Sequence, residues 1–574
     1  MQDHKIMKRK KTSGTDTEER ILGAVIFALT FFIAVFPSLK AGINFHGDIA
    51  FHLGRIESLY RSLKAGVFPA KVHASLANSF GYGEGFFYPD ALLYFPALLE
   101  LAGLSLELSF KIFTVVFILL TWWNVFASVR RILRGRHVLV AVCGAGIYVL
   151  SFRFMHSVYD YGSIGTWMAM AFIPMAVSGL LMILFREDYR LRDMVWMSAG
   201  VCLVGLSHST TAIVTIVFML ALFLCAIPQL RKKQIRSLCV CAVCAVLAIT
   251  GYWLPALEQV CDQKFYLQTN PVFLLTDNIL GPADLFSFSG VAELSMVLVT
   301  TIWLVLTLRM KTKEQKEDRR MRNVTGAVSL VYTVLIFFSP LWKTIGKYIQ
   351  FLQSPTRLMA TALTGLCFSF CLSAAALLDL DDRKWKRMAA AAVCGMLVLF
   401  AGQAWSQIPP YANLVPADSI DYTGTIMGLG AGTEWLPDGG SQYMIEEPER
   451  AIDPEDGGAY GIKEKDGTYF DVYVRMDMAY YDMPYFYYKG YTAYLLDDNG
   501  TPVQELTVEK SPVHGYVRVL LPETGSEIGH VLVTYRKTKI QKAAYIFNGL
   551  FVIGLAVFLM KKKKSNGLRQ PAQG

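Results

Sequence analysis

The sequence predicts an all-α polytopic membrane protein of about 12–13 transmembrane helices, with an extracytoplasmic β-sandwich domain near the C-terminus. Three observations predict it. Of 574 residues, 53% are hydrophobic and 18% charged, with a mean hydropathy of +0.37; a soluble chain carries about 25% charge. The apolar residues fall in blocks of the length a bilayer requires, about 20 residues. Between residues 406 and 540 the text changes to acidic, strand-like sequence. Together these exclude one large soluble enzyme, a disordered chain and a disulfide-rich secreted fold.

Apolar blocks lie at 21–39, 110–128, 137–151, 164–185, 194–207, 209–227, 238–257, 293–309, 324–342, 356–378, 388–405 and 541–560. A thirteenth stretch, 91–104, is short and contains Pro96 and Glu100; it reads as a span or as a helix that enters and returns. Basic clusters in the N-terminal tail, at 130–136, 186–192, 231–236, 309–322 and 383–387, and in the C-terminal tail hold 33 of the 55 Lys and Arg residues. Twelve spans place all of them on one side, the cytoplasmic one by the positive-inside rule. The net charge of +9 then reflects topology and not nucleic-acid binding. The domain plan is a cytoplasmic basic tail 1–20, a transmembrane domain 21–405 with a long first outer loop 40–90, an outer β-rich domain 406–540, a final span 541–560 and a cytoplasmic tail 561–574. The first apolar run is long and lacks a small-residue cleavage site, so it reads as a retained signal anchor. Cys241 and Cys244 have CxxC spacing inside an apolar block, which fits packing better than metal or redox chemistry.

In the first outer loop, Ile49, Leu53, Ile56, Leu59, Tyr60 and Leu63 share one helical face over 49–64, and Gly66 and Pro69 end that helix. Its charge suits the membrane interface. In the outer domain, 21 acidic residues stand against 10 basic ones. Strands are expected at 468–475, 515–521 and 530–535, and 491–508 reads as a hairpin about Asn499-Gly500. The Tyr- and Phe-rich run 478–494 would stack on sugars, sit at headgroup depth or pack the sandwich.

The centres of the spans are nearly free of charge, which argues against an ion-coupled pump. Polar residues gather instead at the outer ends of spans, as expected of an enzyme acting on a lipid-linked substrate. Asp48, after His46-Gly47, serves either as general base, as ligand to a metal holding a phosphate, or as the N-cap of the helix at Ile49. Asp160, with His156 in the next outer loop, is a second candidate acid, or a turn residue. His52, His208 and Asp90 are candidate substrate contacts; His46, His52, His156 and His208 lack zinc-like spacing. Arg357, after Gln353-Ser354-Pro355, either holds a phosphate or anchors the interface.

GDIAFHLGRIESLYRSLKAGVFPAKV, GYGEGFFYPD, LQSPTRLMA and YFYYKGYTAY occur in that order, followed by a β-rich segment and a last span. In this the chain resembles bacterial YfhO-type membrane proteins and is similar to those labelled "6-pyruvoyl-tetrahydropterin synthase-related". Both look like members of the GT-C glycosyltransferase superfamily. The resemblance implies a GT-C-like transmembrane domain and a membrane glycosyltransferase. Its donor would be a polyprenyl-phosphate sugar and its acceptor an envelope glycopolymer of the teichoic-acid type, on the outer face of the plasma membrane. It implies catalytic roles for Asp48 and Asp160, and a phosphate- or substrate-binding set of His46, His52, Asp90, His156, His208 and Arg357. Asp48 would deprotonate or orient the acceptor hydroxyl, and Arg357 would stabilise the departing polyprenyl phosphate. The first loop has no paired DxD or DE beside Asp48, so a divalent cation (Mg or Mn) is left open and the metal ligands stay unassigned. A lipid or polymer flippase would show internal repeats and a polar midplane, and neither is visible. A non-catalytic envelope scaffold would tolerate loss of Asp48 and Arg357.

Overall fold

Eight helices among the described residues are long and apolar enough to cross a membrane, in a computed structural model that describes residues 2–269, 274–284, 291–310, 312–408, 414–422, 434–440, 451–452, 459–460, 462–523 and 528–567. They are Thr17–Leu39, Leu106–Ile132, Ile164–Phe185, Ser209–Gln229, Val291–Arg309, Pro355–Leu378, Arg383–Ser406 and Lys539–Lys562. Three further pairs are bent at a short break: Val138–Val149 with Phe152–Tyr159 by 45°, Lys232–Ala248 with Thr250–Asp262 by 67°, and Lys316–Ile336 with Ser339–Tyr348 by 73°. Counting each pair once gives eleven. The protein is a multi-pass membrane protein.

One expected span is shorter than read, and the stretch left open as a span or a returning helix is a short helix. The block at 194–207 folds as a helix of 15 residues, Leu191–Gly205, shorter than a bilayer requires. The stretch at 91–104 folds as Tyr94–Leu101, eight residues, which removes the thirteenth span.

The chain divides into two units. Unit 1 holds Met1–Ile49, Gly103–Ala242 and Phe273–Ile420; unit 2 holds Ala50–Ala102, Val243–Val272 and Asp421–Gly574.

In unit 1 the helices used below are α1 (Gln2–Val35), α4 (Leu106–Ile132), α5 (Val138–Val149), α6 (Phe152–Tyr159), α7 (Ile164–Phe185), α8 (Leu191–Gly205), α9 (Ser209–Ala226), α12 (Val291–Arg309), α13 (Lys316–Ile336), α14 (Met359–Leu378) and α15 (Arg383–Ser406). α4 shows how sequence sets their ends. Ser105 Oγ accepts from the Leu108 N–H, Glu107 sits in the first turn, and Arg130 and Arg131 close the last, each matching the helix dipole. α7 is buried along its whole length. Small residues let α8 approach it: a Cβ on Gly200 would lie 2.3 Å from Ala176 N, and one on Gly179 2.7 Å from Met197 Cβ. A short ladder, β1 (Ile43–Asn44) with β2 (Leu414–Val415), fixes the start of the first outer loop. Glu107 ties both strands' neighbours, accepting from Gly42 N at 2.8 Å and Ala417 N at 3.1 Å.

Unit 2 contains α2 (Ile49–Lys64, from Ala50 on), α3 (Tyr94–Leu101) and α11 (Thr250–Asp262), with α16 (Lys539–Gly567) and two five-stranded antiparallel sheets. The first sheet has the order β10 (Val508–Lys510), β11 (Tyr516–Leu520), β7 (Tyr480–Phe486), β3 (Ala451–Ile452), β4 (Ala459–Tyr460). The second runs β5 (Ile462–Asp466), β6 (Tyr469–Arg475), β12 (Ile528–Tyr535), β8 (Tyr491–Leu496), β9 (Pro502–Leu506). The hairpin at Asn499-Gly500 pairs Ala493 with Leu506 and Tyr494 with Glu505; Gly500 takes the left-handed conformation at φ +77° that such a turn demands.

The β-rich region does not core itself alone. Phe51, Val72, Leu76, Phe80, Tyr82, Phe86 and Phe87 of the first outer loop share one apolar cluster with Phe470, Val472, Tyr481, Tyr485, Tyr488 and Val531 of the sheets. The aromatic run 478–494 therefore packs the interior at Tyr481, Tyr485, Tyr488 and Tyr491, rather than presenting those rings outward. α2 is likewise buried along nearly all of 51–59 within the unit, instead of resting one face on an interface.

Candidate functional site

In unit 1 the site begins at two glycine-dependent close approaches. Gly47 has φ +58°, and a Cβ there would lie 2.1 Å from the Tyr161 carbonyl oxygen. Gly162 has φ +63°, and its Cβ would lie 2.8 Å from Ile49 Cβ. Only glycine fits both positions, so two loops distant in sequence run side by side. The Asp48 N–H donates to Tyr161 O at 2.9 Å, and Asn44 Nδ2 donates to Tyr159 O at 2.9 Å. Tyr159 is anchored in turn, its hydroxyl donating to Ala34 O of α1 at 2.8 Å.

Asp48 is half-buried. Among the described residues its carboxylate has no hydrogen-bond partner, and no capping bond to α2 forms. Burial raises its pKa above the usual carboxylate value, and the positive charge of Arg357 partly offsets that rise. Burial, then the negative charge of Asp48, raises the Tyr161 phenol as well, while Arg357 and Arg153 pull it down.

Arg357 is half-buried and held by two neighbours. One guanidinium nitrogen donates to Gln353 Oε1, and Nη1 lies 3.3 Å from His208 Nε2. His208 is 4% exposed and caps α9, its Nδ1 lying 2.7 Å from Thr211 Oγ1. Gly165 of α7 makes room for the ring: a Cβ there would lie 2.9 Å from His208 Cδ2. His156 pairs with Asp160, Nδ1 to Oδ2, at 2.7 Å, with side chains 27% and 38% exposed. Its ring stacks on Phe152 at 5.1 Å, and His46 is exposed.

A cavity of about 310 Å³ opens in the same unit, lined by Met296 and Val297 of α12, Val334 of α13, and Met359, Leu363 and Leu366 of α14. Its size is at the low end of the roughly 300–1,000 Å³ usual for small-molecule sites. Met359 follows Arg357 by two residues. Glu293, also on the wall, accepts from the Phe152 N–H at the start of α6 and from Gln403 Nε2 at 2.8 Å.

Sequence reasoning placed His52 and Asp90 with this set; the structure puts them in unit 2, in a buried ion cluster. Arg55, fully buried, pairs with Asp90, donates to Pro89 O at 3.2 Å and lies 3.1 Å from His52 Nδ1. His73 Nε2 lies 3.2 Å from Asp90 Oδ2 and 3.4 Å from Glu84 Oε1. Lys71 Nζ donates to Gly85 O at 2.8 Å. Burial raises the Glu84 carboxyl to about 7, against the pull of His73 and Arg55. Asp90 goes the other way: burial would raise it, but Arg55 and His73 together hold it well below the carboxylate range. Arg55, His73 and Arg153 were missed in the sequence. Arg55 lies within the quoted first-loop string and His73 directly follows it, where a buried charge and a solvated one read alike.

Among the described residues no group of three or more His, Cys, Asp or Glu side chains is placed to hold a metal ion. The donors beside Asp48, a lone carboxylate and an Asp–His pair, do not fit a resident divalent cation.

The fold and this site define a multi-pass membrane protein whose unit 1 carries a carboxylate with no hydrogen-bond partner among the described residues, arginines and an apolar cavity. The chain belongs to the family of unknown function DUF6541, whose profile matches residues 20–362. It is 23% identical over 241 residues to an uncharacterized protein of Lactococcus lactis subsp. cremoris (strain MG1363), a match covering 41% of this chain and 39% of that one. Among solved structures it is similar to arabinofuranosyltransferase AftD from Mycobacteria, with TM-score 0.47 and 13% identity over 90% of this chain and 40% of that one. ArnT from Cupriavidus metallidurans bound to undecaprenyl phosphate gives TM-score 0.39 and 13% identity over 79% and 84%. The archaeal oligosaccharyltransferase AglB from Archaeoglobus fulgidus gives 0.40 and 11% over 68% and 56%. The matches thus span about two fifths of the Lactococcus relative and of AftD.

Proposed function

We propose that the protein is a membrane glycosyltransferase that moves a sugar from a polyprenyl-phosphate carrier to an envelope glycopolymer, of which a teichoic-acid-type polymer is one example, on the outer face of the cell membrane. The observation that carries the reading is the partner-free Asp48 carboxylate, set electrostatically against Arg357 in a unit that also holds an apolar cavity. The reading rests on this site and on the motif resemblance; the likeness to solved transferases is too distant to bear weight.

In this mechanism Asp48 is the general base. A carboxyl with a raised pKa binds a proton more readily, which suits proton removal from an acceptor hydroxyl near neutral pH. The hydroxyl oxygen attacks the anomeric carbon, the bond to the phosphate oxygen breaks, and the carrier leaves as polyprenyl phosphate. Arg357 offsets the charge that develops on that phosphate, with Gln353 and His208 holding the guanidinium in place. Asp160, steadied by His156, orients the substrate from the neighbouring loop, and His46 lies on the exposed side. The isoprenoid chain lies in the apolar cavity. No metal enters the scheme.

The test is transfer of label from a polyprenyl-phosphate sugar to envelope polymer, in membranes holding equal amounts of wild type and Asp48→Asn. A loss of about 100-fold or more is expected, in line with removal of a general base. Equal transfer by the two would refute Asp48 as the base.

A further inference from the structure

The described arginines that are less than a tenth exposed are each ion-paired to a carboxylate. Arg55 pairs with Asp90, Arg186 with Asp318, Arg322 with Glu314 and Arg518 with Asp482. A buried guanidinium keeps its charge at any accessible pH, so it needs an anion nearby. The half-buried Arg131, Arg319 and Arg475 are paired too, with Asp193, Glu314 and Asp477, whereas Arg153 and Arg357 of unit 1 differ. Both are half-buried, and among the described residues neither has a carboxylate within ion-pair distance. Arg153 Nε is fully buried and, like Arg55 Nε and Arg186 Nε, has no hydrogen-bond partner among the described residues. The two guanidiniums are close enough to repel one another, and Tyr161 lies within electrostatic reach of both, as it does of Asp48. Asp48 is within electrostatic reach of Arg357, and Arg357 of Arg153.

The position of Arg153 is not accidental to the fold. It is the second residue of α6, whose first N–H is fixed by Glu293 from α12 while Gln403 of α15 braces that carboxylate. Ser151 caps the same turn, its Oγ accepting from the Phe154 N–H at 3.3 Å. Three helices therefore hold in place a guanidinium that has no carboxylate within ion-pair distance among the described residues. Such an arrangement costs free energy unless an anion arrives from outside. Two forked donors on one side suit a phosphoryl group, which offers several acceptor oxygens.

We propose that Arg153 is the second guanidinium of a phosphate-binding pair with Arg357, so that one phosphoryl group is gripped from α6 and from the segment preceding α14. The inference rests on the reading above only for the identity of the phosphate's carrier. A lipid-linked phosphate and a free phosphate share this chemistry.

The test is protection of arginines from phenylglyoxal in the full-length wild-type protein in detergent, read site by site by mass spectrometry. Farnesyl phosphate, inorganic phosphate and neutral farnesol serve as probes. Farnesyl phosphate is expected to slow modification of Arg153 and Arg357 together, by about tenfold, and farnesol to leave both rates unchanged. Protection by inorganic phosphate at a similar concentration would assign the pair to free phosphate, and protection needing a far higher concentration would assign it to a lipid phosphate; both support the pair. Protection of Arg357 alone, equal protection by farnesol, or no protection by any probe would overturn it. As a second line, Arg153→Lys keeps the charge but loses the fork. Its affinity for farnesyl phosphate is expected to fall severalfold, with binding of farnesol unchanged. Transfer activity is scored separately. Protection without sugar transfer would leave the pair standing and sink the glycosyltransferase reading. Transfer with an unprotected Arg153 would do the reverse.

Discussion

The loop 40–90 supplies charged residues to both units, and the two put them to opposite use. In unit 2, Arg55, His73, Glu84 and Asp90 form a buried cluster in which cations and carboxylates lie within 4 Å of one another. In unit 1, Asp48, Arg153 and Arg357 have no ion-pair partner among the described residues. The residue types are the same; their pairing is not. Paired charges in an apolar interior specify how a fold closes, whereas unpaired ones remain free to meet a ligand. Each variant below bears on that contrast.

The largest effect is expected from breaking the paired cluster. Arg55→Ala leaves Asp90 buried without its main cation and Glu84 with His73 alone, which costs about 3–5 kcal/mol. Thermal or denaturant unfolding of the purified protein checks it, and a loss below 1 kcal/mol would show that the cluster is not structural. Gly47→Ala comes next. It needs a left-handed backbone at φ +58° and drives Cβ into the Tyr161 carbonyl, so Asp48 must move. A shift of about 1 Å at a catalytic group costs roughly 100-fold in rate, so transfer should fall by that order while unit 2 keeps its stability. Asp160→Asn is expected to lower transfer by only about tenfold, because its carboxylate is already committed to His156 and partly solvated. A loss equal to that of Asp48→Asn would make the two acids equal partners.

The smallest effect concerns pH. Burial raises the Glu84 carboxyl from 4.5 to about 7, so between those values the folded chain holds a proton that the unfolded chain has released. The contribution of Glu84 to stability therefore falls as pH rises through that window, by on the order of 1 kcal/mol per pH unit, and stays low above it. Burial alone would lower His73, but Glu84 and Asp90 outweigh it and raise the imidazole, so that contribution too is lost as pH rises past the folded value. Glu84→Gln should flatten the slope. A variant with the wild-type slope would place the titration elsewhere.

Much of this was legible from residues alone, and what was not has physical reasons. The helix Ile49–Lys64 was read to the residue because its period is clear and Gly66 and Pro69 end it. The hairpin at Asn499-Gly500 was read because that dipeptide has one common use between strands. The bends after Ala248 and Ile336 were not read, since an unbroken apolar run carries no mark of where it turns. β7 was missed because Asp482 and Pro484 interrupt its alternation; Asp482 is tolerated there only because Arg518 and Ser511 donate to it, each at 2.8 Å, from neighbouring segments. For the site, the sequence offered Asp48 and Arg357 by their place at span ends. It could not separate them from Asp90, because whether a carboxylate has a partner is decided by which segments meet after folding. Arg153, inside Phe152-Arg153-Phe154-Met155, was missed because nothing in that apolar string marks which segments surround it after folding.

The central claim is that the charges of unit 1 without an ion-pair partner among the described residues do the chemistry and the paired charges of unit 2 hold structure. Its most direct test measures sugar transfer and melting temperature together on Asp48→Asn and Asp90→Asn, purified side by side with wild type. The account predicts that Asp48→Asn abolishes transfer at an unchanged melting temperature, and that Asp90→Asn lowers the melting temperature. An Asp48→Asn protein that transfers sugar at the wild-type rate, or one that melts as early as Asp90→Asn, would contradict it.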